Sequence, residues 1–154
     1  MTPEFEIRPM TIEDIEHVVQ IERLSFTSPW SRLAFEAEVY NNKFAHYYVA
    51  QGNGGVVGYA GMWIIFDEAH ITNIAVHPEF RGLKYGKRLT AELMIQAVKL
   101  GAKRITLEVR VSNVIAQKLY ESMGFASVGI RKKYYTDNNE DALIMWKDLA
   151  GDFS

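Results

Sequence analysis

Hydrophobic and polar positions change rhythm several times along this chain. Residues 5–8 alternate like a strand, and TIEDIEHVVQIERLSF (11–26) then takes the spacing of an amphipathic helix. Thr11 stands as its N-cap, with Asp14 where a capping box usually carries Glu or Gln. Ile15, Val18, Val19 and Leu24 form the apolar face, and Glu16, Gln20 and Arg23 turn outward. Pro29 disfavours helical geometry at Ser28, so Thr27-Ser28-Pro29-Trp30-Ser31 breaks the helix and Ser31 caps a second one to about residue 41.

From residue 45 to 66 the pattern is that of strands folded back at the Gly52-Asn53-Gly54-Gly55 turn, a hairpin. A strand over about 70–76 leads through a glycine-spaced loop into a helix over roughly 84–100, with Leu89, Leu93, Ala97 and Leu100 inward and Gly101 as its stop. Ile105, Leu107 and Val109 alternate with Thr106, Glu108 and Arg110, so Glu108 points away from the three aliphatics. Asn113 opens the last helix and Gly124 ends it. Strands over about 126–131 and 142–147 follow, joined through YYTDNNED, where Asp137-Asn138-Asn139 is turn chemistry. The order predicts one α/β domain over residues 1–154, a mixed sheet with helices on both faces.

Composition narrows the function. With 48% hydrophobic residues in 154, the chain can build one packed core. A net charge of −2 argues against broad electrostatic binding of nucleic acid, so an anionic ligand must be held locally. The absence of cysteine excludes disulfides, thiolate metal sites and a cysteine acyl-enzyme. Nothing in MTPEFEIRPM reads as a signal peptide and no apolar run reaches bilayer-spanning length, which predicts a cytoplasmic protein that does not enter a membrane.

Two stretches carry chemistry. In NIAVHPEFRGLKYGKRL (73–89), a strand ends at His-Pro and a basic, glycine-interrupted loop opens a helix. The amides of Gly82, Leu83, Lys84, Tyr85, Gly86 and Lys87 can cradle a pyrophosphate, with Arg81, Lys87 and Arg88 adding charge. By itself such a loop is as readily a solvated turn. In LEVRVSNVIAQKLYESMGF (107–125), Glu108 can take a proton from an ammonium if its pKa rises modestly in a desolvated cleft, and Tyr120 can give one to a departing thiolate. The plainer alternatives are an edge-strand Glu108 paired with Arg110 and a core-edge Tyr120. Asn113 is first a helix cap and then a contact to pantetheine or pyrophosphate. Trp30, Tyr134 and Tyr135 suit a peptide groove or the core equally, and Asp137, Glu140 and Asp141 form either a solvated turn or an attraction for a basic peptide. The four histidines, His17, His46, His70 and His77, lack metal-ligand spacing, and Ser25 and Ser31 lack a nucleophile elbow.

Taken together, NIAV, the RxxGxG pattern at Arg81 to Gly86, LEVRVSN, LYESMGF and IRKKYYTDNNEDALIM resemble the GNAT family of N-acetyltransferases, and within it the RimI-type branch that acetylates the α-amine of ribosomal protein N-termini. The resemblance implies the GNAT fold, a central, mostly antiparallel sheet of six to seven strands. It implies acetyl-CoA as co-substrate and no metal, with Glu108 as catalytic base and Tyr120 as catalytic acid. It also implies that Ile74, Ala75 and Val76 contact the acetyl and pantetheine portion beside a bulge, with an N–H near Val76 polarising the thioester carbonyl. Lys84 departs from the family pattern, which prefers glycine there.

The expected function is direct acetyl transfer to a protein N-terminus, of a small-subunit ribosomal protein above all, flanked by the 25–32 corner and the 134–141 turn. Two alternatives stay open: acetylation of lysine or small-molecule amines, and a non-catalytic acyl-CoA sensor or scaffold. The sequence leaves the oligomeric state undecided.

Overall fold

The computed structural model describes residues 6–52 and 54–149. The elements follow in the order β1 (Glu6–Pro9), α1 (Ile15–Ser25), α2 (Arg32–Tyr40), β2 (Ala45–Gly52), β3 (Gly55–Ile65), β4 (Glu68–Val76), α3 (Tyr85–Lys99), β5 (Arg104–Arg110), α4 (Val114–Ser122), β6 (Ala126–Tyr135) and β7 (Glu140–Asp148). Short 3-10 turns, Ile12–Asp14 and Pro78–Phe80, precede α1 and follow β4. Phe5, Asn53 and residues 150–154 lie outside the described residues, and with them the start of the first expected strand and part of the glycine turn.

The strands form one sheet in the order β1-β2-β3-β4-β5-β7-β6. Its neighbours are antiparallel except β4 and β5, which run parallel. Alternation along the central strands divides the core between two faces. Tyr47, Val49 and Tyr59 pack with Ile15, Val18 and Phe35 of α1 and α2, while Ala50, Ala60 and Met62 pack with Leu89, Leu93 and Ala97 of α3. Ala116 and Tyr120 of α4 join that second cluster.

Several expectations shift in detail. The spacing that starts Ile15, Val18, Val19 continues to position 22, so Glu22 is buried and Leu24 is 57% exposed. Leu100 is likewise exposed, because it caps α3 outside the last turn instead of sharing the face of Leu89, Leu93 and Ala97. β6 and β7 run further into the YYTDNNED segment than the sequence suggests: Lys133 takes a positive φ of 52° and the register shifts between Arg131 and Tyr135, which carries pairing to Tyr135–Glu140.

One irregularity shapes the site. Gly61 pairs with Asn73 and Met62 with Ile71, which leaves Thr72 as an extra residue in β4. The bulge therefore sits at Thr72, before the 74–76 stretch. Tyr47 holds it there: its hydroxyl donates to Asn73 Oδ1 at 3.0 Å and meets Thr72 Oγ1 at 2.8 Å. Gly61 makes room, since a Cβ at that position would lie 2.1 Å from the Tyr47 ring.

Candidate active site

β4 and β5 pair only at Glu68–Arg104, Ala69–Ile105 and His70–Thr106, although both strands continue beyond. Past His70 they part, and the opening between them is a cavity of about 580 Å³. Its lining crosses the sheet: Glu22 and Trp30 stand on the α1–α2 face, Ala116 and Tyr120 on the α3–α4 face, and His70, Ile74 and Glu108 on the parting strands. Because the His77 N–H donates to the Val57 carbonyl of β3 at 2.8 Å, strand alternation turns the Val76 N–H the other way, toward the side of β5.

Glu108 occupies the position its alternation predicts, opposite Ile105, Leu107 and Val109, but its neighbours are new. β5 is an interior strand, so the edge-strand pairing with Arg110 does not arise. Instead Glu108 Oε2 lies 2.8 Å from His70 Nε2, and Oε1 lies 3.3 Å from Arg131 Nε. Burial works to raise its pKa, and the hydrogen bonds and charges of His70 and Arg131 outweigh it, leaving the carboxyl below its ordinary value. The modest upward shift expected from a desolvated cleft is thus reversed by two partners whose approach depends on tertiary pairing.

Tyr120, beside Phe125 with ring centroids 5.7 Å apart, has its phenol pushed up to about 12 by burial. It stays protonated throughout the neutral range. Asn113 caps α4, its Oδ1 accepting the Ala116 N–H at 3.2 Å, and also lines the cavity.

The loop of residues 81–87 lies beyond this cavity, at the end of β4. Gly82 and Lys84 take positive φ angles of 82° and 66°, so Lys84 is in the left-handed conformation that makes glycine the usual residue there. Lys84 is the N-cap of α3, and the first N–H to bond back to it is that of Arg88, at 3.1 Å. The amides of Gly86 and Lys87, just before Arg88 in the same first turn, have no carbonyl within the helix to meet. Arg81 is a brace as well as a charge, its Nε donating to the Val76 carbonyl at 3.2 Å and its Nη2 to Ser25 Oγ at 3.2 Å. Leu83 and Lys87 are exposed, and Tyr85 stacks edge-on against Phe80 with centroids 6.4 Å apart. Ala75 turns into the α1–α2 core and is buried there.

At the other mouth, Trp30, Tyr134 and Tyr135 all line the cavity, with Trp30 also packed on Phe35 at 5.3 Å. The two segments that flank this mouth are joined by the Thr27 hydroxyl, which donates to the Asp137 carboxylate. Arg110 binds Asp137 at 2.8 Å and Glu140 at 3.3 Å, and its guanidinium lies 4.0 Å from the centre of the Tyr135 ring. Glu140 also accepts the Ser112 N–H at 2.7 Å, and Ser112 leads the contacts that take its pKa down to about 2. Asp141 accepts the Lys133 N–H at 2.8 Å. These acids of the turn thus anchor Arg110 and the backbone, neither simply solvated nor wholly free to attract a peptide.

Among the lining residues that sequence reasoning missed are His70 and Glu22. Helical spacing reaches Glu22, seven positions after Ile15 on the inward face, but its charge masks it; His70 meets Glu108 only through the parallel register of β4 and β5. Among the described residues no group of His, Asp and Glu is arranged to hold a metal ion, and no helix is long and apolar enough to cross a membrane.

Comparison with known proteins agrees with this architecture. Residues 15–125 match the Acetyltransferase (GNAT) family. A Bacillus subtilis protein provisionally named a ribosomal protein bS18-alanine N-acetyltransferase is 51% identical, over 91% of this chain and 93% of that protein. The Escherichia coli K12 ribosomal protein bS18-alanine N-acetyltransferase is 36% identical over 90% and 94% of the two chains. The crystal structure of the Escherichia coli ribosomal-protein-S18-alanine N-acetyltransferase superposes with a TM-score of 0.87 at 33% identity, covering 97% of each chain. With parted parallel strands, a glycine loop at a helix start and relatives that match along nearly their whole length, the chain belongs to the GNAT family of acetyltransferases.

Proposed function

We propose that this protein transfers an acetyl group from acetyl-CoA to the N-terminal α-amine of a protein, a small-subunit ribosomal protein, in the cytoplasm, and that residues 1–154 act as one domain without direct contact to nucleic acid. The observation that carries the reading is the opening between β4 and β5, which brings Glu108 and Tyr120 to one cavity reached from both faces of the sheet. The names of the Bacillus subtilis and Escherichia coli relatives support the choice of acceptor.

The residues present suit the donor. Gly82, with no atom within 4 Å of where a Cβ would be, and the α3 N-terminus can take a pyrophosphate, with Lys84, Lys87 and Arg88 nearby as cations. Ile74 and Val76 edge the opening, where the Val76 N–H can polarise a thioester carbonyl. Acetyl-CoA supplies an acyl group already activated by its thiol leaving group. The chain's own part is to hold, orient and move protons. Glu108, paired with His70, draws in the acceptor's ammonium, the pair removes its proton directly or through water, and Tyr120, held protonated by burial, donates to the sulfur as it leaves. Burial disfavours the thiolate as it does the phenolate, so the two groups remain matched in a shared apolar setting. Trp30, Tyr134 and Tyr135 form the acceptor's mouth.

A direct test uses small-subunit ribosomal proteins with unmodified N-termini, incubated with the enzyme and acetyl-CoA and analysed by peptide mass spectrometry. One protein gaining an acetyl group on its first residue is the expected result. Acetyl groups confined to lysine side chains would refute the acceptor assignment.

A further inference from the structure

The cavity contains a titratable side chain to which neither the sequence nor the family comparison gives a role. His70, the last residue of β4 that pairs with β5, places Nε2 2.8 Å from Glu108 Oε2. The other Glu108 oxygen is taken by Arg131 at 3.3 Å. Each carboxylate oxygen thus already faces a donor, and the Glu108 side chain is only 7% exposed, against 36% for His70. Both side chains line the cavity, and the imidazole is the more exposed of the two.

We infer that His70 is the group that takes the acceptor's proton, through Nδ1 and directly or by way of one water, while Glu108 orients the imidazole and balances the charge it gains. This rests on the proposed reading of the site as one that acetylates an amine. A carboxylate bonded to the Nε2 side fixes the tautomer with hydrogen on Nε2, so Nδ1 carries the lone pair. An imidazole is a stronger base than a carboxylate and so suits the proton of an α-ammonium, whereas a carboxyl held below its ordinary value is a poor match for it. The charged and titratable groups around the imidazole are Glu108 from β5 and, beyond it, Arg131 and Tyr134 from β6.

The protons balance. His70 Nδ1 takes one from the ammonium, and the freed nitrogen lone pair forms the bond to the acyl carbon. As the carbon–sulfur bond breaks, the sulfur takes the Tyr120 proton, and the phenolate recovers one from the new amide nitrogen. The imidazolium releases its proton to solvent, which is the single net proton of the reaction.

The test compares wild-type enzyme, His70→Ala and His70→Gln in steady-state assays of CoA release across pH 5.5–9.5, using a peptide with a free α-amine, together with acetyl-CoA affinity by calorimetry. His70→Ala is expected to lower kcat more than about tenfold at neutral pH while acetyl-CoA affinity stays within about twofold, and added imidazole is expected to restore part of the loss. His70→Gln, which keeps a donor for Glu108, is expected to lose the acidic limb of the kcat/KM profile. It carries the test alone if the alanine variant does not fold. A folded variant that keeps kcat within about tenfold, or whose loss no imidazole relieves, overturns the inference, as does an unchanged acidic limb in His70→Gln. If the wild type acetylates only lysine or small amines, the acceptor assignment fails, and the same comparison made with that amine still decides the role of His70.

Discussion

The buried Glu22 carboxylate of α1 accepts the Tyr59 hydroxyl through one oxygen and, through the other, the Trp30 N–H at 2.9 Å. A charged side chain only 2% exposed therefore ties the sheet to the corner between α1 and α2 and fixes Trp30 at the mouth of the cavity. Glu22→Ala strands the buried Tyr59 hydroxyl and the part-buried Trp30 backbone N–H and should cost about 3 kcal/mol, read as a lower urea midpoint at unchanged slope. In the folded variant the acceptor's KM should rise severalfold while acetyl-CoA affinity holds. An acceptor KM equal to wild type would separate Trp30 from acceptor binding.

Gly61 and Tyr47 set the bulge at Thr72, just past the last pair of β4 with β5. Because Tyr47 is only 7% exposed and its hydroxyl is held by Thr72 and Asn73, its ring cannot swing clear of a new methyl group. Gly61→Ala is expected to cost about 3 kcal/mol and to weaken acetyl-CoA binding in whatever fraction folds. Tyr47→Phe, which keeps the ring and loses the hydroxyl contacts, should be milder in stability and show the same direction in affinity. Calorimetric titration of both variants checks this, and wild-type affinity in both would detach the bulge from the donor site.

Lys84 sits at φ 66°, where an L side chain costs about 1 kcal/mol or more and glycine costs nothing sterically. Part of that gain is offset by the greater freedom of glycine in the unfolded chain. Lys84→Gly should therefore stabilise the protein by about 0.5 kcal/mol, whereas β-branched Lys84→Val should destabilise it. Paired urea denaturation curves test both signs, and a destabilised glycine variant would mean that the lysine side chain contributes more than its backbone costs.

Arg8 reaches across from β1 to bind both Asp14 oxygens at 2.8 Å, and the Thr11 N–H donates to the same carboxylate at 2.8 Å. Burial pushes the Asp14 pKa up, but these bonds together hold it below its ordinary value. A folded-state pKa below the unfolded one means that this contribution to stability is complete above about pH 4 and disappears as pH falls through the folded value. Asp14→Asn should be less stable than wild type at pH 7, and the difference should shrink below about pH 4. A gap that stays constant to pH 2.5 would contradict the assignment.

How much of this was legible in the sequence depends on how local each signal is. Asn113 caps α4 and Gly124 follows its end with φ 96°, as their residue types announce, because caps are settled within one turn of chain. The inward run of Ile105, Leu107 and Val109 likewise fixes the side on which Glu108 emerges. Glu22 was hidden by its charge: the helical spacing reached it, but a carboxylate at a core position reads as solvent-facing until Tyr59 and Trp30 are known to meet it. The contact of His70 with Glu108 depends on the parallel register of two strands separated by α3, and the Thr72 bulge on a tyrosine from β2. Pairings across such sequence distances leave no local mark.

The central claim, acetylation of a protein α-amine, is tested most directly by acetyl-CoA-dependent thiol release with two forms of one short Ala-starting peptide. One has a free α-amine, and the other is blocked there and keeps free lysines. Turnover of the free form with none of the blocked form is the predicted result. Equal turnover of both, or turnover of the blocked peptide alone, would contradict the account.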